Sequence, residues 1–510
     1  MTTLALYLGL AIELAALSLV PLVFLRRKEP SSTAAWILAL VFLPGVGAFL
    51  FLMFGRERVR LPVQWKRDAD RALAMALAVR ERSAGALLTP PPSVRPVLAD
   101  VDRDLFRVAT ALTGAEPSEG NSVELLVDGE ETYRAIGEAI DRARQRVWAE
   151  YYLVRCDATA DWFRDRLVAA ARRGVEVKLL VDGYGSFWLK RRWLSSLRKA
   201  GVEVAFFLPA RLVFLQPMNL RNHRKIVVVD GELAFTGGIN IGDEYRGLLG
   251  PWRDTHLALR GPSVAPLEGI FVQDWHFATR RDPSRHAEAH RAAGEVLGEG
   301  AAGGDASALR EAQAALEAAA ARPAGDAHVT IIRSGPDVTG PAREAIHRVF
   351  FSAITLAQRR VLITTPYFIP DRSMLIALQA AALRGVDVRL LFPSRSNHRV
   401  VFQAGRSFYE DLLEAGVGIH EYAPGMIHAK TMVVDGRVAL VGSANMDLRS
   451  FRLNFEVHTV IGGGTTAARL ERCFQDDLRV SRRIDLDEFR RRSRLARLGE
   501  GAARLLSPLM

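Results

Sequence analysis

The ten residues NHRKIVVVDG (222–231) recur with few changes as IHAKTMVVDG (427–436). Each copy places a His and a Lys two residues apart, continues with a run rich in β-branched residues and closes on Asp-Gly. Asp-Gly next to such a run is a strong signal for a β-hairpin. Two hairpins of the same design are therefore predicted, one in each half of the chain.

The sequence around the two hairpins repeats as well. Three further pairs of segments match: RGVEVKLLVD (173–182) with RGVDVRLLFP (384–393), TGGIN (236–240) with VGSAN (441–445), and DTHLALRG (254–261) with EVHTVIGG (456–463). A repeat of this length indicates a duplicated domain and not a solenoid unit. Helical segments alternate with short β-branched runs in each half, which predicts an α/β fold with a mixed sheet flanked by helices.

The repeated motif places two chemically useful side chains on one face of each strand. Alternate residues of a strand share a face, so His223 and Lys225 project together, as do His428 and Lys430. Short motifs match by chance, but a duplicated His-x-Lys-x4-Asp with further residues at matched offsets does not. The pattern therefore predicts function in both halves.

The remaining motif residues have different predicted roles. Asp230 and Asp435 fall on the other face of their strands and precede a glycine, so we expect them to shape the turn or anchor the scaffold without proton transfer. Asn240 and Asn445 follow small residues that let the backbone approach a ligand, and an amide there can donate to an anionic oxygen. Each half thus offers one imidazole, one ammonium group and one amide.

Two halves related by a pseudo-two-fold axis would bring both sets of side chains into one active site. One imidazole could attack a phosphorus atom while the other protonates the leaving group. The two lysines and two asparagines would neutralise and grip the phosphoryl group. The attacking imidazole needs an acceptor for its second N–H, and the aligned Asp254 and Glu456 are the candidates.

The composition favours an anionic partner. The chain of 510 residues carries 68 Lys and Arg against 57 Asp and Glu, a formal charge of +11. This balance suits nucleic acid, an anionic membrane surface or phosphorylated substrates. The two cysteines, Cys156 and Cys473, exclude a disulfide framework and a cysteine-based zinc site, and we expect two buried thiols.

The N-terminus selects the membrane among these partners. Residues 4–25 are apolar except for Glu13, and residues 34–54 contain no charged residue. Each run is long enough to cross a hydrocarbon core of ~30 Å. A cleaved signal peptide is disfavoured, because no Lys or Arg precedes the first run. We therefore predict a transmembrane helical hairpin, with the positive cluster after it favouring a cytoplasmic location for the rest of the chain.

The predicted organisation has six parts. They are the transmembrane hairpin (1–55), a connector (56–120), the first α/β domain (121–290), an Ala/Gly-rich linker with one surface helix (291–326), the second α/β domain (327–478) and a basic tail (479–510). Three segments combine apolar or Trp residues with Arg and Lys: 187–199, with Trp188 and Trp193, 209–220 and the tail. We expect them to form a collar that contacts the lipid surface.

The duplicated His-x-Lys-x4-Asp, followed by Gly-(Gly/Ser)-x-Asn, resembles the signature of the phospholipase D superfamily. With the N-terminal hairpin and segments such as TPYFIPD and SFRLNFE, nearly the whole chain resembles bacterial cardiolipin synthases. The resemblance implies two phospholipase D-like domains that form one active site. It carries the catalytic motif onto His223, Lys225, Asp230, His428, Lys430 and Asp435.

The resemblance also implies a reaction. A phosphatidyl group would pass from one phosphatidylglycerol to another through a phosphohistidine, giving cardiolipin and glycerol without a metal or another cofactor. His223 would be the nucleophile and His428 the general acid and then base, with Asp254 and Glu456 behind them. The lipid partners would be phosphatidylglycerol and cardiolipin, and the location the bacterial plasma membrane, crossed more than once.

Several alternatives stay open or are disfavoured. Hydrolysis by water and transfer to another alcohol use the same chemistry and remain open. A nuclease is less favoured, because it gains nothing from two membrane spans, and no nucleic-acid partner is expected. A non-catalytic membrane scaffold is disfavoured by the two complete half-sites.

Overall fold

The computed structural model describes residues 2–24, 30–52, 66, 100–208, 220–279 and 325–505. The chain divides into two compact units, one formed mainly by residues 1–64 and the other by 65–210 and 220–508. The predicted linker helix, most of the connector and residues 209–219 of the expected collar lie outside the described residues.

The described residues of the N-terminal unit form four helices. They are α1 (Thr2–Leu17), α2 (Val20–Phe24), α3 (Pro30–Phe42) and α4 (Pro44–Leu50). Ala16, Val23, Leu40 and Phe51 form a small buried cluster among them. Within the described part of the chain, no helix combines the length and the apolarity needed to cross a bilayer.

The larger unit is built from two halves of alternating strands and helices. The first half contains the strands β1 (Ser118–Val127), β2 (Arg146–Tyr151), β3 (Glu176–Asp182), β4 (Glu203–Phe207), β5 (Ile226–Val229), β6 (Leu233–Gly237), β7 (Trp252–Arg253) and β8 (Thr255–Arg260). The helices in this part of the chain are α5 (Asp100–Thr113), α6 (Asp128–Arg142), α7 (Ala158–Arg172), α8 (Arg191–Lys199) and α9 (Val264–Thr279).

The second half continues the same alternation. Its strands are β9 (Ala327–Ser334), β10 (Arg360–Thr364), β11 (Phe368–Ile369), β12 (Asp387–Pro393), β13 (Gly418–Tyr422), β14 (Met426–Ile427), β15 (Thr431–Val434), β16 (Val438–Gly442), β17 (Met446–Asp447), β18 (Glu456–Gly462) and β19 (Ser481–Arg483). Its helices are α10 (Ala345–Leu356), α11 (Arg372–Leu383), α12 (Arg399–Arg406), α13 (Tyr409–Glu414), α14 (Leu448–Arg452), α15 (Thr466–Arg479), α16 (Leu486–Arg490) and α17 (Arg494–Leu505).

Fifteen strands form one continuous sheet, in the order β19-β13-β12-β10-β15-β16-β18-β9-β1-β8-β6-β5-β2-β3-β4. Outward from β1 the order is β1-β8-β6-β5-β2-β3-β4, and outward from β9 it is β9-β18-β16-β15-β10-β12-β13. The two halves therefore share one topology, and they join where β1 pairs antiparallel with β9. Strands β2, β3 and β4 are parallel while most of the others are antiparallel, so the predicted α/β class with a mixed sheet is confirmed.

The strands that carry the repeated motif are buried on both faces. Val227 and Val229 of β5 pack into the core of the first half, whereas Ile226 and Val228 pack into a core that both halves share. In the second half, Val433 also belongs to that shared core. Burial on both faces explains why these strands read as continuous apolar runs without alternation.

Each motif strand ends in the predicted hairpin turn. Asp230 and Gly231 have φ of 55° and 71°, and Asp435 and Gly436 have φ of 54° and 72°. Positive φ at both central residues is the geometry of a type I′ turn, which Asp-Gly favours because Asp tolerates and Gly readily adopts the left-handed region.

The described elements differ from the predicted organisation in several places. β1 begins at Ser118, and α5, within the predicted connector, packs Leu105 and Phe106 into the core of the second half. Trp193, expected at the lipid surface, is only 5% exposed and belongs to the core of the first half. The expectation of two buried thiols is wrong for Cys156, which is exposed.

The basic tail folds onto the second half. β19 pairs with β13, and the core of that half includes Ile484, Phe489 and Ala503. Arg492 in the tail forms an ion pair with Glu500 at 2.8 Å. Over residues 481–505 the tail is thus part of the larger unit, while some of its side chains remain exposed.

Candidate active site

The two motif histidines lie where the halves exchange backbone contacts. The His223 N–H donates to the Phe455 carbonyl at 2.9 Å, and the His428 N–H donates to the Arg253 carbonyl at 2.6 Å. The short strand β14, which precedes His428, pairs with β7 of the first half. Each copy of the motif is therefore docked on the segment of the other half that carries the candidate acid.

Each histidine is held by a carboxylate from the opposite half. Nδ1 of His223 lies 3.0 Å from Oε2 of Glu456, and Nδ1 of His428 lies 2.8 Å from Oδ2 of Asp254. Both carboxylates are fully buried. The carboxylate fixes Nδ1 as the protonated nitrogen, which leaves Nε2 of each ring for chemistry. The sequence named both acids, but it could not show that the pairs cross between the halves.

Burial and the crossed pairs set the charges of these groups. Burial, together with the Lys430 charge, lowers the pKa of His428 to about 3, and burial lowers that of His223 as well. Burial opposes ionisation of Asp254 and Glu456, but neighbouring Lys and His groups outweigh it and lower both pKa values to about 2. Each pair therefore consists of a neutral imidazole that donates a hydrogen bond to an ionised carboxylate.

The two lysines lie beside the histidines in the buried site. Nζ of Lys225 donates to the His223 carbonyl at 2.6 Å, and Nζ of Lys430 lies 2.9 and 3.1 Å from the ring nitrogens of His428. Burial lowers the pKa of Lys225 to about 7 and that of Lys430 to about 8. A bound anion would restore the full charge of both ammonium groups, so the arrangement suits a phosphoryl group.

The two asparagines lie at equivalent positions after β6 and β16. Nδ2 of Asn240 donates to the Tyr245 hydroxyl at 2.7 Å, and the Asn445 side chain is hydrogen-bonded to Asp447. An amide nitrogen carries two hydrogens, so each asparagine can orient itself on its neighbour and still donate to an anion.

The motif aspartates lie at the turn end of the hairpins and bind backbone. Asp230 accepts hydrogen bonds from three consecutive amides, and so does Asp435. The donors are Arg144, Gln145 and Arg146 for Asp230, and Gln358, Arg359 and Arg360 for Asp435. These contacts tie each hairpin to the start of β2 or β10 and account for both carboxylates without proton transfer.

The small residues after β6 and β16 make room for the acids. A Cβ atom at Gly238 would lie 2.1 Å from Oδ1 of Asp254. At the matching place in the second half, Ser443 donates from its hydroxyl to Oε2 of Glu456 at 2.5 Å. The sequence suggested that the small residues leave space for a ligand. In the structure, Gly238 leaves space for the Asp254 carboxylate and Ser443 binds the Glu456 carboxylate.

Aromatic rings surround the two imidazoles unequally, a feature that the motif does not indicate. The ring centroids of Trp252, Tyr245 and Tyr367 lie 5.2, 5.7 and 6.2 Å from that of His428. Tyr152 packs edge-on against His223 at 5.0 Å. The stretches YYLV, GDEY, PWRD and TPYF, which flank the strands, contain these rings.

A buried ion network supports the segment that carries His223, and this network was also missed from the sequence. Arg224 forms an ion pair with Asp274 of α9 and donates from Nε to the Glu456 carbonyl at 3.3 Å. Lys66 lies 2.8 Å from Asp274 and 3.4 Å from Asp337. The signal in the sequence was an Asp among the aromatic residues of the stretch FVQDWHF.

Comparisons with known proteins agree with this geometry. Residues 136–248 and 350–478 match the family described as cardiolipin synthase, PLD-like domain, and residues 14–56 match the one described as phospholipase D-nuclease N-terminal. The chain is 38% identical to a cardiolipin synthase of Alkalihalophilus pseudofirmus, over 96% of this chain and 91% of that protein. It is also 38% identical to a cardiolipin synthase of Geobacillus kaustophilus, over 95% of this chain and 90% of that protein.

A solved structure shares the fold at low sequence identity. The phosphatidylserine synthase of Haemophilus influenzae superposes with a TM-score of 0.58 at 14% identity, over 80% of this chain and 100% of that one. At this identity the likeness concerns the fold alone.

Proposed function

The chain belongs to the cardiolipin synthase family, and we propose that its two half-sites form one centre that joins two phosphatidylglycerol molecules. The chain is a phosphatidyltransferase with phospholipase D-like domains. The observation that carries the proposal is the crossed pairing of His223 with Glu456 and of His428 with Asp254. Neither motif histidine is paired with a carboxylate of its own half.

In the first step, Nε2 of His223 attacks the phosphorus of the donor lipid. The P–N bond forms and the bond from phosphorus to the oxygen of the headgroup glycerol breaks. Nε2 of protonated His428 gives its proton to that oxygen. Glycerol leaves and a phosphatidyl-histidine remains. The anionic substrate helps to protonate His428, because a nearby negative charge favours the imidazolium form.

In the second step, the headgroup of another phosphatidylglycerol takes the place of glycerol. His428, now neutral, accepts the proton of the attacking hydroxyl, whose oxygen bonds to phosphorus as the P–N bond breaks. Cardiolipin forms and both histidines return to their starting states. Lys225, Lys430 and the two asparagines would stabilise the charge on the phosphoryl oxygens in both steps.

Transfer is favoured over hydrolysis by the surroundings of His428. Water attacking in the second step would give phosphatidic acid by the same chemistry. The general base that would activate it lies among the rings of Trp252, Tyr245 and Tyr367, which restrict the space for free water. A bulkier alcohol that contacts these rings has the advantage.

We also propose that the N-terminal unit anchors the chain in the bacterial plasma membrane as a helical hairpin. Residues 14–56 match the N-terminal family named above, and the stretches 4–25 and 34–54 are apolar except for Glu13. The arginines after residue 55 favour a cytoplasmic location for the catalytic unit.

The catalytic unit would itself touch the lipid surface through exposed apolar loops. Phe187 and Trp188 after β3 are 57% and 80% exposed, and Leu248 and Leu249 before β7 are 63% and 76% exposed. Both loops adjoin residues that line the site. In the tail, exposed leucines of α17 alternate with arginines. Such side chains suit the headgroup region of an anionic bilayer.

The experiment is product analysis. Membranes that contain the full chain are incubated with phosphatidylglycerol labelled in its headgroup glycerol, and lipids and free glycerol are separated. The proposal expects one glycerol released for each cardiolipin formed. Phosphatidic acid as the main product would assign the chain to hydrolysis. An unlabelled phospholipid with another headgroup, formed as labelled glycerol is released, would assign it to a different acceptor.

A further inference from the structure

A buried guanidinium on the nucleophile side has no part in the reaction described above. Arg221 is 9% exposed, and its guanidinium carbon lies 4.1 Å from the centroid of the Tyr184 ring. One of its nitrogens donates to the Leu220 carbonyl at 2.6 Å. Among the described residues, no carboxylate lies within ion-pair distance of it. A buried cation that is not paired with a carboxylate is costly, and a stacked, fixed guanidinium is well suited to binding an anion.

The position of Arg221 is fixed by both halves of the molecule. Its carbonyl accepts a hydrogen bond from the Phe455 N–H at 2.8 Å. The next residue, Asn222, donates from its backbone N–H to Oδ2 of Asp182 at 2.9 Å. Arg221 precedes His223 by two residues, so in an extended segment the two residues share a face about 7 Å apart.

A second arginine lies on the same side of the site. Burial raises the pKa of Tyr152, the ring that packs on His223, to about 12, and the charges of Arg221 and Arg449 both act against that rise. Arg449 comes from the short helix α14 of the second half. Charges from both halves therefore act on the ring that packs against His223.

The repeat shows that this charge is not needed to grip the reacting phosphate. The repeat pairs His223 with His428 and Lys225 with Lys430, but it pairs Arg221 with Met426. A phosphate held between the halves is bound by groups that both copies supply. A cation that only one copy supplies is expected to bind a group that lies to one side of the reacting phosphate.

The proposed reaction contains such a group. Cardiolipin has two phosphodiesters joined through one glycerol, so six single bonds separate the phosphorus atoms, roughly 8 Å when extended. The second phosphodiester must therefore lie close to the reacting one as the new bond forms. The backbone spacing between Arg221 and His223 is comparable, at about 7 Å.

We propose that Arg221, together with Arg449, forms a second anion-binding subsite that holds the phosphodiester of the acceptor phosphatidylglycerol. The subsite rests on the proposed function and adds to it a reason why an anionic lipid is preferred to water or a neutral alcohol as acceptor. Charge-assisted hydrogen bonds from a guanidinium fork to two phosphoryl oxygens would hold the headgroup in place.

Two reactions of the full chain in membranes separate this subsite from the catalytic centre. Synthesis of cardiolipin needs a second phosphodiester, whereas exchange of labelled free glycerol into phosphatidylglycerol uses the same phosphohistidine with a single phosphate. Arg221→Met, which copies the residue at position 426, should lower cardiolipin synthesis about 10- to 100-fold, as expected for loss of charged hydrogen bonds. Glycerol exchange should stay within about threefold of the wild-type rate.

Three further variants complete the design. Arg449→Met should show the same selective loss, and Arg221→Lys, which keeps the charge, should retain part of the synthesis. Arg166→Met is the matched control, because Arg166 also stacks on an aromatic ring, at 4.5 Å from Trp162, but lies on α7 outside the site. It should leave both reactions unchanged.

The outcomes that overturn the subsite are distinct from those that overturn the proposed function. Equal losses of synthesis and exchange in Arg221→Met would make Arg221 a structural residue or a ligand of the donor phosphate, and an unchanged rate of synthesis would leave it no role. Inorganic phosphate that stimulates the wild-type chain but not Arg221→Met, at constant ionic strength, would assign the site to a free ion. Absence of glycerol exchange in the wild-type chain would reject the phosphatidyl-histidine itself, and the subsite with it.

Discussion

At the level of single residues, His223 and His428 stand in different surroundings although the motif is repeated. His428 is enclosed by three aromatic rings and has its pKa lowered to about 3, whereas His223 contacts one ring and lies near Arg221. The two copies of the motif therefore lie in different surroundings, because the aromatic residues around them come from segments outside the motif. This asymmetry is what a reaction with one nucleophile and one acid–base group requires.

The crossed pairs make a prediction that distinguishes the two acids. With a phosphatidyl donor that has a nitrophenol leaving group, no proton is needed to expel it. Glu456→Gln should then slow nitrophenol release about 10²- to 10⁴-fold, as for loss of the carboxylate that orients a catalytic imidazole. Asp254→Asn should leave that release nearly unchanged and slow the later transfer to phosphatidylglycerol. Rapid-quench kinetics of nitrophenol release and of the later transfer measure the effect. Slow release in Asp254→Asn together with normal release in Glu456→Gln would mean that each acid serves the histidine of its own half.

The lysines predict the alkaline side of the pH profile. Burial lowers the pKa of Lys225 to about 7 and that of Lys430 to about 8, while the facing carboxylates Glu456 and Asp254 remain charged. Only the ammonium form attracts phosphate, so kcat/KM for phosphatidylglycerol should fall as the pH rises through this range. Lys225→Arg keeps its proton, so its decline should begin at higher pH. The same decline in Lys225→Arg and in Lys430→Arg would assign it to another group.

The residues of the site were predictable from the sequence because the motif is duplicated, but their partners were not. The repeat assigns one acid to each histidine whether the pairs form within a half or across the halves. Only the long-range packing of Phe455 and Arg253 against the histidine segments decides between these arrangements. Trp193 shows the same limit, because its sequence pattern fits an interfacial helix and a buried one equally well.

At the level of elements, the Asp-Gly hairpins were predictable because the turn is a local property. Their connection to the neighbouring strand is not local, since Asp435 binds amides at 358–360 and Asp230 binds amides at 144–146. The same holds for α5, whose amphipathic pattern predicts a buried face but not that the face packs on the second half. A local sequence pattern predicts a turn or a helix, but it does not determine how elements that are distant in sequence pack together.

Asp435→Asn tests the structural role of the motif acid. Asn tolerates the left-handed conformation but loses the charge that three amides bind, so we expect a loss of about 1–3 kcal/mol in the free energy of unfolding. Activity per folded molecule should stay near the wild-type value. Thermal unfolding and activity of the same detergent-solubilised sample measure both. Full stability with lost activity would instead place Asp435 in the reaction.

At the level of the whole molecule, the two halves form a single folded unit. One sheet runs through both halves, and the shared core contains Ile226 and Val228 from one half and Val433 and Val457 from the other. The duplication was evident in the sequence, but the continuous sheet depends on the pairing of β1 with β9. Nothing in the sequences of these two strands indicates that they pair.

Membrane contact by the catalytic unit is tested without the N-terminal helices. A protein that begins at residue 56 should sediment with phosphatidylglycerol vesicles at low salt and less so at high salt, because each Lys or Arg near the surface contributes ~1 kcal/mol. Replacing Trp188, Leu248 and Leu249 by Ser should weaken binding, since each loses roughly 2 kcal/mol of apolar burial. Leu383→Ser, at an exposed leucine of α11, is the control. Weaker binding by the control but not by the triple variant, or no binding by any of the proteins, would place lipid contact elsewhere.

The most direct test of the central claim, that both halves build one site with His223 as nucleophile, is to locate the covalent intermediate. Full-length His428→Ala is incubated in membranes with the nitrophenol donor labelled in its acyl chains, denatured at alkaline pH and digested, and the labelled peptide is sequenced by mass spectrometry. We predict one phosphatidyl group per chain on His223, slow transfer onward, and no label in His223→Ala. Label on His428 in the His223→Ala protein, with none on His223 in the His428→Ala protein, would contradict the account.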